Sequence, residues 1–60
     1  MPANYLVLIN ERLADIRNFP ELGGIVLKEA AFFWRKPAFE YQQFLITKLP
    51  TALRVELRKI

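Results

Sequence analysis

The side chains that could do chemistry in this chain are its carboxylates, bases and aromatic rings, because its 60 residues include no cysteine and no histidine. Without those two residue types there is no thiolate nucleophile, no imidazole acid or base, and no thiolate or imidazole metal ligand. Among the six carboxylates, only Glu11 and Asp15 share an i,i+4 spacing, and two carboxylates on an exposed helix make a poor cation site. We therefore expect no enzymatic activity, no cofactor and no metal ion.

Aromatic residues are concentrated in one part of the chain. Six of the eight lie within thirteen residues, namely Phe32, Phe33, Trp34, Phe39, Tyr41 and Phe44. Most members of such a cluster normally belong to the core, because aromatic rings supply much of the buried area of small domains. Three consecutive aromatic residues cannot all face one way on a helix, so part of the cluster is predicted to lie at the surface.

Helical projection of residues 25–36 divides the aromatic cluster between two faces. Phe33 and Trp34 fall on the apolar arc and are predicted to belong to the core. Ile25 and Phe32 fall instead among charged residues. An apolar pair flanked by long basic side chains is typical of a surface that another chain covers.

The next segment, residues 37–49, has a broader apolar face than a small bundle requires. Its apolar positions, Ala38, Phe39, Tyr41, Leu45, Ile46 and Leu49, span about half of the helix circumference. Such a face is typical of the central helix of the bundle, and the alternative is that part of it helps to build an oligomer interface. Over both segments, the predicted partner-binding residues are Ile25, Phe32, Arg35, Phe39, Tyr41 and Leu45.

Basic residues are concentrated in the second half of the chain. Residues 31–60 hold six bases and two acids, a balance of +4, within a net charge of +3 for the whole chain. The candidates for binding an anion are Arg54, Arg58 and Lys59. Six scattered bases are ordinary for a solvated surface, and neither a dense basic stripe nor a polar recognition helix is readable. A nucleic acid is therefore the less favoured partner.

The length and composition predict a single small domain over residues 1–60. With 53% hydrophobic and 25% charged residues the chain is too apolar to be disordered. In a chain this short, the free energy gained by burying apolar surface and the conformational entropy lost on folding nearly cancel. No disulfide can raise the free energy of unfolding, so we expect a homo-oligomer or a partner to supply the missing stability.

Proline and glycine residues divide the chain into segments, with breaks at residues 20, 23–24, 37 and 50. The apolar spacing between these breaks predicts helices, over residues 4–18, 25–36 and 37–49, with a short fourth over 51–60. The predicted fold is therefore all-α, a small antiparallel helical bundle of three to four short helices.

The alternative fold is α+β, with strands at residues 5–9 and 53–57 flanking helices. Residues 5–9 are an unbroken apolar run, and residues 53–57 alternate between apolar and charged side chains. Both patterns suit a strand as well as a helix. Two strands alone are marginally stable, so this version also favours a dimer that completes the sheet.

These observations predict a non-catalytic protein-protein interaction module or small complex subunit. It would act as a homo-oligomer, or dock on a protein partner through exposed apolar and aromatic helix faces, and it would take no small-molecule substrate. The alternative is a small nucleic-acid-associated regulator that uses the basic C-terminal half. The longest apolar runs have five residues, too few to span a bilayer, and no signal peptide is readable, so we expect a cytoplasmic protein.

Overall fold

The computed structural model describes residues 2–60 and shows an α+β fold, in which an antiparallel sheet of four strands packs against one α-helix. The strands are β1 (Tyr5–Ile9), β2 (Arg12–Leu13), β3 (Ala31–Phe32) and β4 (Val55–Lys59). The helix, α1, spans Arg35–Lys48, and a short 3-10 turn lies at Pro20–Leu22. Within residues 2–60, no helix combines the length and the apolar character needed to cross a membrane.

β1 is the central strand of the sheet. Along one side it pairs with β4 over its whole length, from Tyr5↔Lys59 to Ile9↔Val55. Its other side is shared by two short strands, β3 near its start and β2 near its end. Among residues 2–60, β4 pairs with β1 and with no other strand, so the outer side of β4 is an edge of the sheet.

The all-α prediction is wrong, and the α+β alternative fits the structure. Residues 5–9, predicted as part of the first helix, form β1, where Val7 and Ile9 are buried in the core and Leu8 is buried on the opposite face. A run in which every residue is apolar satisfies the helical and the strand periodicity equally well. The pairing of β1 with its neighbouring strands decides between them.

The other predicted helices are partly corrected. Residues 25–36 do not form a helix, since they contain β3 and irregular backbone before the start of α1. Residues 51–60 contain β4, which begins two residues later than the alternative strand at 53–57. The predicted helix over 37–49 is present as α1, which begins two residues earlier, at Arg35, and ends at Lys48 before Pro50.

A two-residue turn joins β1 to β2. Asn10 and Glu11 both have positive φ, 49° and 72°, as in the type I′ turn that matches the twist of a hairpin. Asparagine tolerates this region better than most residues. The Asn10 N–H donates to the Arg54 carbonyl, and the Arg54 N–H donates to Asn10 Oδ1, both at 2.9 Å. The turn is therefore fixed to the residue that precedes β4.

The core lies between the sheet and α1. The helix buries Ala38, Tyr41 and Leu45, whose spacing of three and four residues forms one stripe along its length. This stripe packs with Val7 and Ile9 of β1 in one apolar cluster. The helix also contacts β3 and β4, so it covers most of one face of the sheet.

Candidate interaction site

The outer edge of β4 offers an open strand backbone. Just beyond β4, the Ile60 N–H donates to the Asn4 carbonyl at 2.9 Å. Because hydrogen bonding alternates along an antiparallel strand, the even-numbered residues of β4 bond to β1 and the odd-numbered residues direct their N–H and C=O groups outward. Residues 57 and 59 therefore present main-chain donors and acceptors along this edge, together with the Val55 N–H, while the Val55 carbonyl also accepts a hydrogen bond from the side chain of Gln42.

The side of α1 next to this edge carries exposed apolar residues. The side of α1 that faces β4 is the one that carries Gln42, because the Gln42 side-chain amide donates to the Val55 carbonyl at 3.3 Å. Phe39 and Ile46 lie within about 60° of Gln42 around the helix, and they are 41% and 47% exposed. We call the channel between the two elements the β4 groove. Its walls are the outer edge of β4 and the α1 residues Arg35, Phe39, Gln42 and Ile46.

At the start of α1 the β4 groove widens into two adjoining depressions. The smaller, about 330 Å³, is lined by Tyr5, Arg35, Leu57 and Lys59. The larger, about 510 Å³, is lined by Asn4, Tyr5, Phe33, Trp34, Arg35 and Lys59. Trp34 is 67% exposed and meets Phe33 edge to face, with 4.7 Å between ring centroids. This end of the groove therefore places aromatic rings beside two bases, and none of its lining residues is acidic.

Two of the three bases predicted to bind an anion are paired with carboxylates instead. Arg58 donates to Glu56 at 3.0 and 3.1 Å and to Glu11 at 3.1 Å, and Arg54 donates to Glu11. The hydrogen bond from Arg58 is the largest cause that lowers the pKa of Glu56, and the same bond raises the pKa of Arg58. These pairs lie on the face of the sheet away from α1, and Lys59 is the one predicted base that lines the groove.

The structure separates the six residues predicted to bind a partner. Four of them contribute to the core: Tyr41 and Leu45 are buried, Phe32 packs on Tyr41 with 5.7 Å between ring centroids, and Ile25 is half-buried. Arg35 and Phe39 are exposed and lie together in the β4 groove, with the guanidinium carbon 5.5 Å from the ring centroid. This distance allows a cation–π contact.

The helical projection placed Phe32 and Trp34 on the wrong sides. Phe32 belongs to β3 and packs toward α1, whereas Trp34 lies between β3 and α1 and is mostly exposed. In extended backbone the side-chain direction reverses at every residue instead of advancing by 100°. Because residues 32 and 34 were wrongly predicted to be helical, their predicted burial was wrong as well.

Most residues of the β4 groove were absent from the predicted partner-binding set, among them Trp34, Gln42, Ile46 and Leu57. The alternation at residues 53–57 was the available signal, because it already indicated a strand. Its position beside α1, however, depends on the pairing with β1.

The buried Tyr41 is a structural residue of the core. Its hydroxyl donates to the Ala14 carbonyl and accepts a hydrogen bond from the Leu27 N–H at 2.9 Å. Burial raises the pKa of Tyr41, and the hydrogen bond from Leu27 offsets part of that effect. The phenol therefore stays protonated at neutral pH. In the described part of the chain, no three acidic side chains come together as a metal site would need.

Comparisons with known proteins add no relative to this description. A scan against protein-family models, a search of curated proteins and a search of solved structures found no match to the chain. The function proposed below therefore depends on the geometry of the β4 groove.

Proposed function

We propose that this protein is a non-catalytic interaction module that binds a protein strand along the β4 groove. The single observation that carries the proposal is an open strand edge lying beside exposed apolar side chains of α1. An extended segment can hydrogen-bond to such an edge through its main chain, while its alternate side chains contact the adjoining wall. Phe39 and Ile46 supply that wall.

The charges on β4 support selective pairing. Edge strands commonly carry charged residues that keep unrelated strands away, and β4 carries Glu56, Arg58 and Lys59. Opposite charges directly across two strands contribute roughly 0.2–1 kcal/mol, and like charges oppose pairing by a similar amount. A partner strand must therefore match the order of charges along β4.

Leu57→Pro tests this proposal, because it removes an outward N–H and leaves the hydrogen bonds between β4 and β1 in place. We expect the wild-type chain, immobilised and exposed to a cell lysate supplemented with a differently tagged copy of the chain, to retain a protein that Leu57→Pro binds at least about tenfold more weakly. Leu57→Ile is the matched control, since it keeps both the N–H and the side-chain volume. Equal retention by all three chains would contradict strand addition.

A second candidate function is the binding of single-stranded nucleic acid at the wide end of the groove. Tyr5, Phe33 and Trp34 lie there beside Arg35 and Lys59, and aromatic rings beside bases are what stacking on nucleotides requires. This function predicts binding of a labelled oligonucleotide that weakens steeply with salt. It also predicts loss of that binding in Trp34→Ala.

Phe44→Ala is the matched control for the nucleic-acid test. Phe44 is also an exposed ring beside a base, with Lys48 at 5.7 Å, but it is not among the groove lining. If both alanine variants lose oligonucleotide binding equally, or if no binding occurs at low salt, the second candidate function is rejected.

A further inference from the structure

We propose that the strand bound in the β4 groove is the β4 strand of a second copy of this chain. Two copies would then form a two-fold symmetric dimer with one continuous antiparallel sheet. This inference rests on the proposed function and adds to it the identity of the partner and the register of pairing. The main observation that supports this inference is the charge complementarity along β4.

One register of β4 with itself brings opposite charges together. Outward-facing groups belong to odd-numbered residues, so a two-fold axis must pair odd-numbered residues with each other. Three axes keep at least three residues of Val55–Lys59 paired, and they pass through residues 56, 57 and 58. An axis at 56 sets Glu56 against its own copy, and an axis at 58 does the same for Arg58. The axis at Leu57 sets Glu56 of each copy opposite Arg58 of the other, and it also pairs the most residues.

In the same register, the exposed side of α1 would face the exposed side of α1 in the other copy. Strands lie about 4.8 Å apart, so a helix axis above the midline of β1 and β4 would lie about 5 Å from the two-fold axis. The two helix axes would then be about 10 Å apart, near the 8–10 Å at which helices pack. α1 contacts β1 and β4, as this position requires, and its further contact with β3 on the far side of β1 makes about 10 Å the lower end of this separation.

The dimer also accounts for three of the exposed apolar side chains. Gln42 contacts Val55, while Arg35 lies with Leu57, so Phe39 falls near the two-fold axis. Ile46 lies about 10 Å further along the helix. Because the two helices would run antiparallel, Ile46 approaches the start of the other helix, where Trp34 is exposed.

Exchanging the charges of β4 tests the register directly. Glu56→Arg sets two arginines against each other across the axis at Leu57, and Arg58→Glu does the same with two glutamates. We expect each single variant to raise the dimer Kd by at least about tenfold, because two cross-strand pairs change from attraction to repulsion. The double exchange, Glu56→Arg with Arg58→Glu, restores the original pairs and should restore the Kd. An equimolar mixture of the two single variants should form a heterodimer.

Sedimentation equilibrium on the full chain, from submicromolar to millimolar concentration, measures these constants, and circular dichroism confirms that each variant is folded. We expect the wild-type dimer to persist at high salt, because salt screens both the attraction of the cross-strand pairs and the repulsion between two chains of net charge +3, and leaves the main-chain hydrogen bonds and apolar contacts in place. A dimer that forms without rescue by the double exchange would overturn the register.

A wild-type chain that stays monomeric over this concentration range would overturn the dimer. In that case, retention of a different protein that Leu57→Pro loses would leave the proposed function standing. Failure of both measurements would remove the function and the dimer together. A chain that is monomeric but binds an oligonucleotide in a Trp34-dependent way would also overturn the dimer, in favour of the second candidate function.

Discussion

At the scale of single residues, Tyr41 of α1 connects segments of the chain that lie outside the strands of the sheet. Its hydroxyl bonds to Ala14, which follows β2, and to Leu27, which precedes β3. Its ring packs against Phe32 of β3. One side chain of α1 therefore holds together the irregular segment between β2 and β3, where regular secondary structure is sparse.

Tyr41→Phe should lower the free energy of unfolding by about 1–3 kcal/mol, because it leaves the Leu27 N–H and the Ala14 carbonyl without their hydrogen-bond partner. Urea unfolding followed by circular dichroism measures the change. Tyr5→Phe is the control, since the Tyr5 hydroxyl makes no hydrogen bond to any of the residues that the structure describes, and it should change stability by less than about 0.5 kcal/mol. Equal effects of the two variants would contradict the role given to Tyr41.

Ionisation of the Tyr41 phenol should also account for part of the stability that the folded chain loses in alkaline solution. Burial raises its pKa in the folded chain, so the folded chain keeps the phenolic proton at a pH where the unfolded chain has lost it. Its contribution is complete below the ordinary tyrosine pKa of about 10 and is lost as the pH rises through the raised value. We expect the unfolding free energy of Tyr41→Phe to decline less steeply than that of the wild type above pH 10.

Phe32 and Trp34 should respond to mutation in opposite ways. Phe32 packs against Tyr41 in the core, so Phe32→Ala should lower the unfolding free energy by about 2–3 kcal/mol. Trp34 is mostly exposed, so Trp34→Ala should change it by less than about 0.5 kcal/mol under monomeric conditions. Trp34→Ala should instead weaken dimerisation. The two unfolding curves, measured side by side, decide the assignment, and a larger loss for Trp34→Ala would reverse it.

At the scale of secondary-structure elements, the hairpin of β1 and β2 and the start of β4 support each other. Asn10 supplies a turn conformation that few residues adopt and also accepts the Arg54 N–H. Glu11, in the same turn, pairs with Arg54 and Arg58. The turn therefore sets the register of β4 against β1, and this register determines which residues of β4 face outward.

Asn10→Ala should destabilise the fold by about 1–2 kcal/mol, because it loses the hydrogen bond to Arg54 and places alanine at positive φ. Asn10→Gly loses the same bond but adopts positive φ freely, so its cost should be smaller by about 1 kcal/mol. Thermal unfolding of the two variants separates the contributions. Equal destabilisation would show that the hydrogen bond alone matters.

At the scale of the whole molecule, a 60-residue chain has little stability in reserve. Its exposed apolar residues at Trp34, Phe39 and Ile46 lie along or near one groove. Strand pairing between copies would add main-chain hydrogen bonds and cover these side chains at once. Association and folding of such a chain are thermodynamically linked, so the apparent stability should rise with concentration.

Acid should dissociate the proposed dimer. The pKa of Glu56 is lowered, chiefly by the hydrogen bond from Arg58, so the attraction of its carboxylate is complete above the ordinary value and is lost as the pH falls through the lowered value. Arg58 also donates a hydrogen bond to Glu11 at 3.1 Å, so Glu56 is one of two carboxylates that face this base. Sedimentation between pH 7 and pH 3 measures the transition, and Glu56→Gln isolates the contribution of Glu56. That variant should dimerise more weakly than the wild type at pH 7.

The parts of the fold that could be predicted from the sequence are those decided by residues close together along the chain. The breaks at residues 20, 23–24 and 50 and the helix near residues 37–49 follow from local backbone preferences, whereas Pro37 lies in the first turn of α1 and makes no break. The strand alternatives at 5–9 and 53–57 follow from local patterns too. Of the residues predicted to bind a partner, Arg35 and Phe39 lie together in the β4 groove, and their role in binding stays a prediction.

By itself, the sequence determined which side-chain chemistries the chain lacks, since no cysteine or histidine is present, and that a helix ends before Pro50. The tertiary structure alone decided that residues 5–9 are a strand, that Phe32 is inside and Trp34 outside, and that β4 is an open edge. These outcomes depend on pairing between distant residues, such as Tyr5 with Lys59. An apolar run suits a helix and a strand equally, and the backbone hydrogen bonds of a strand are completed only by another part of the chain.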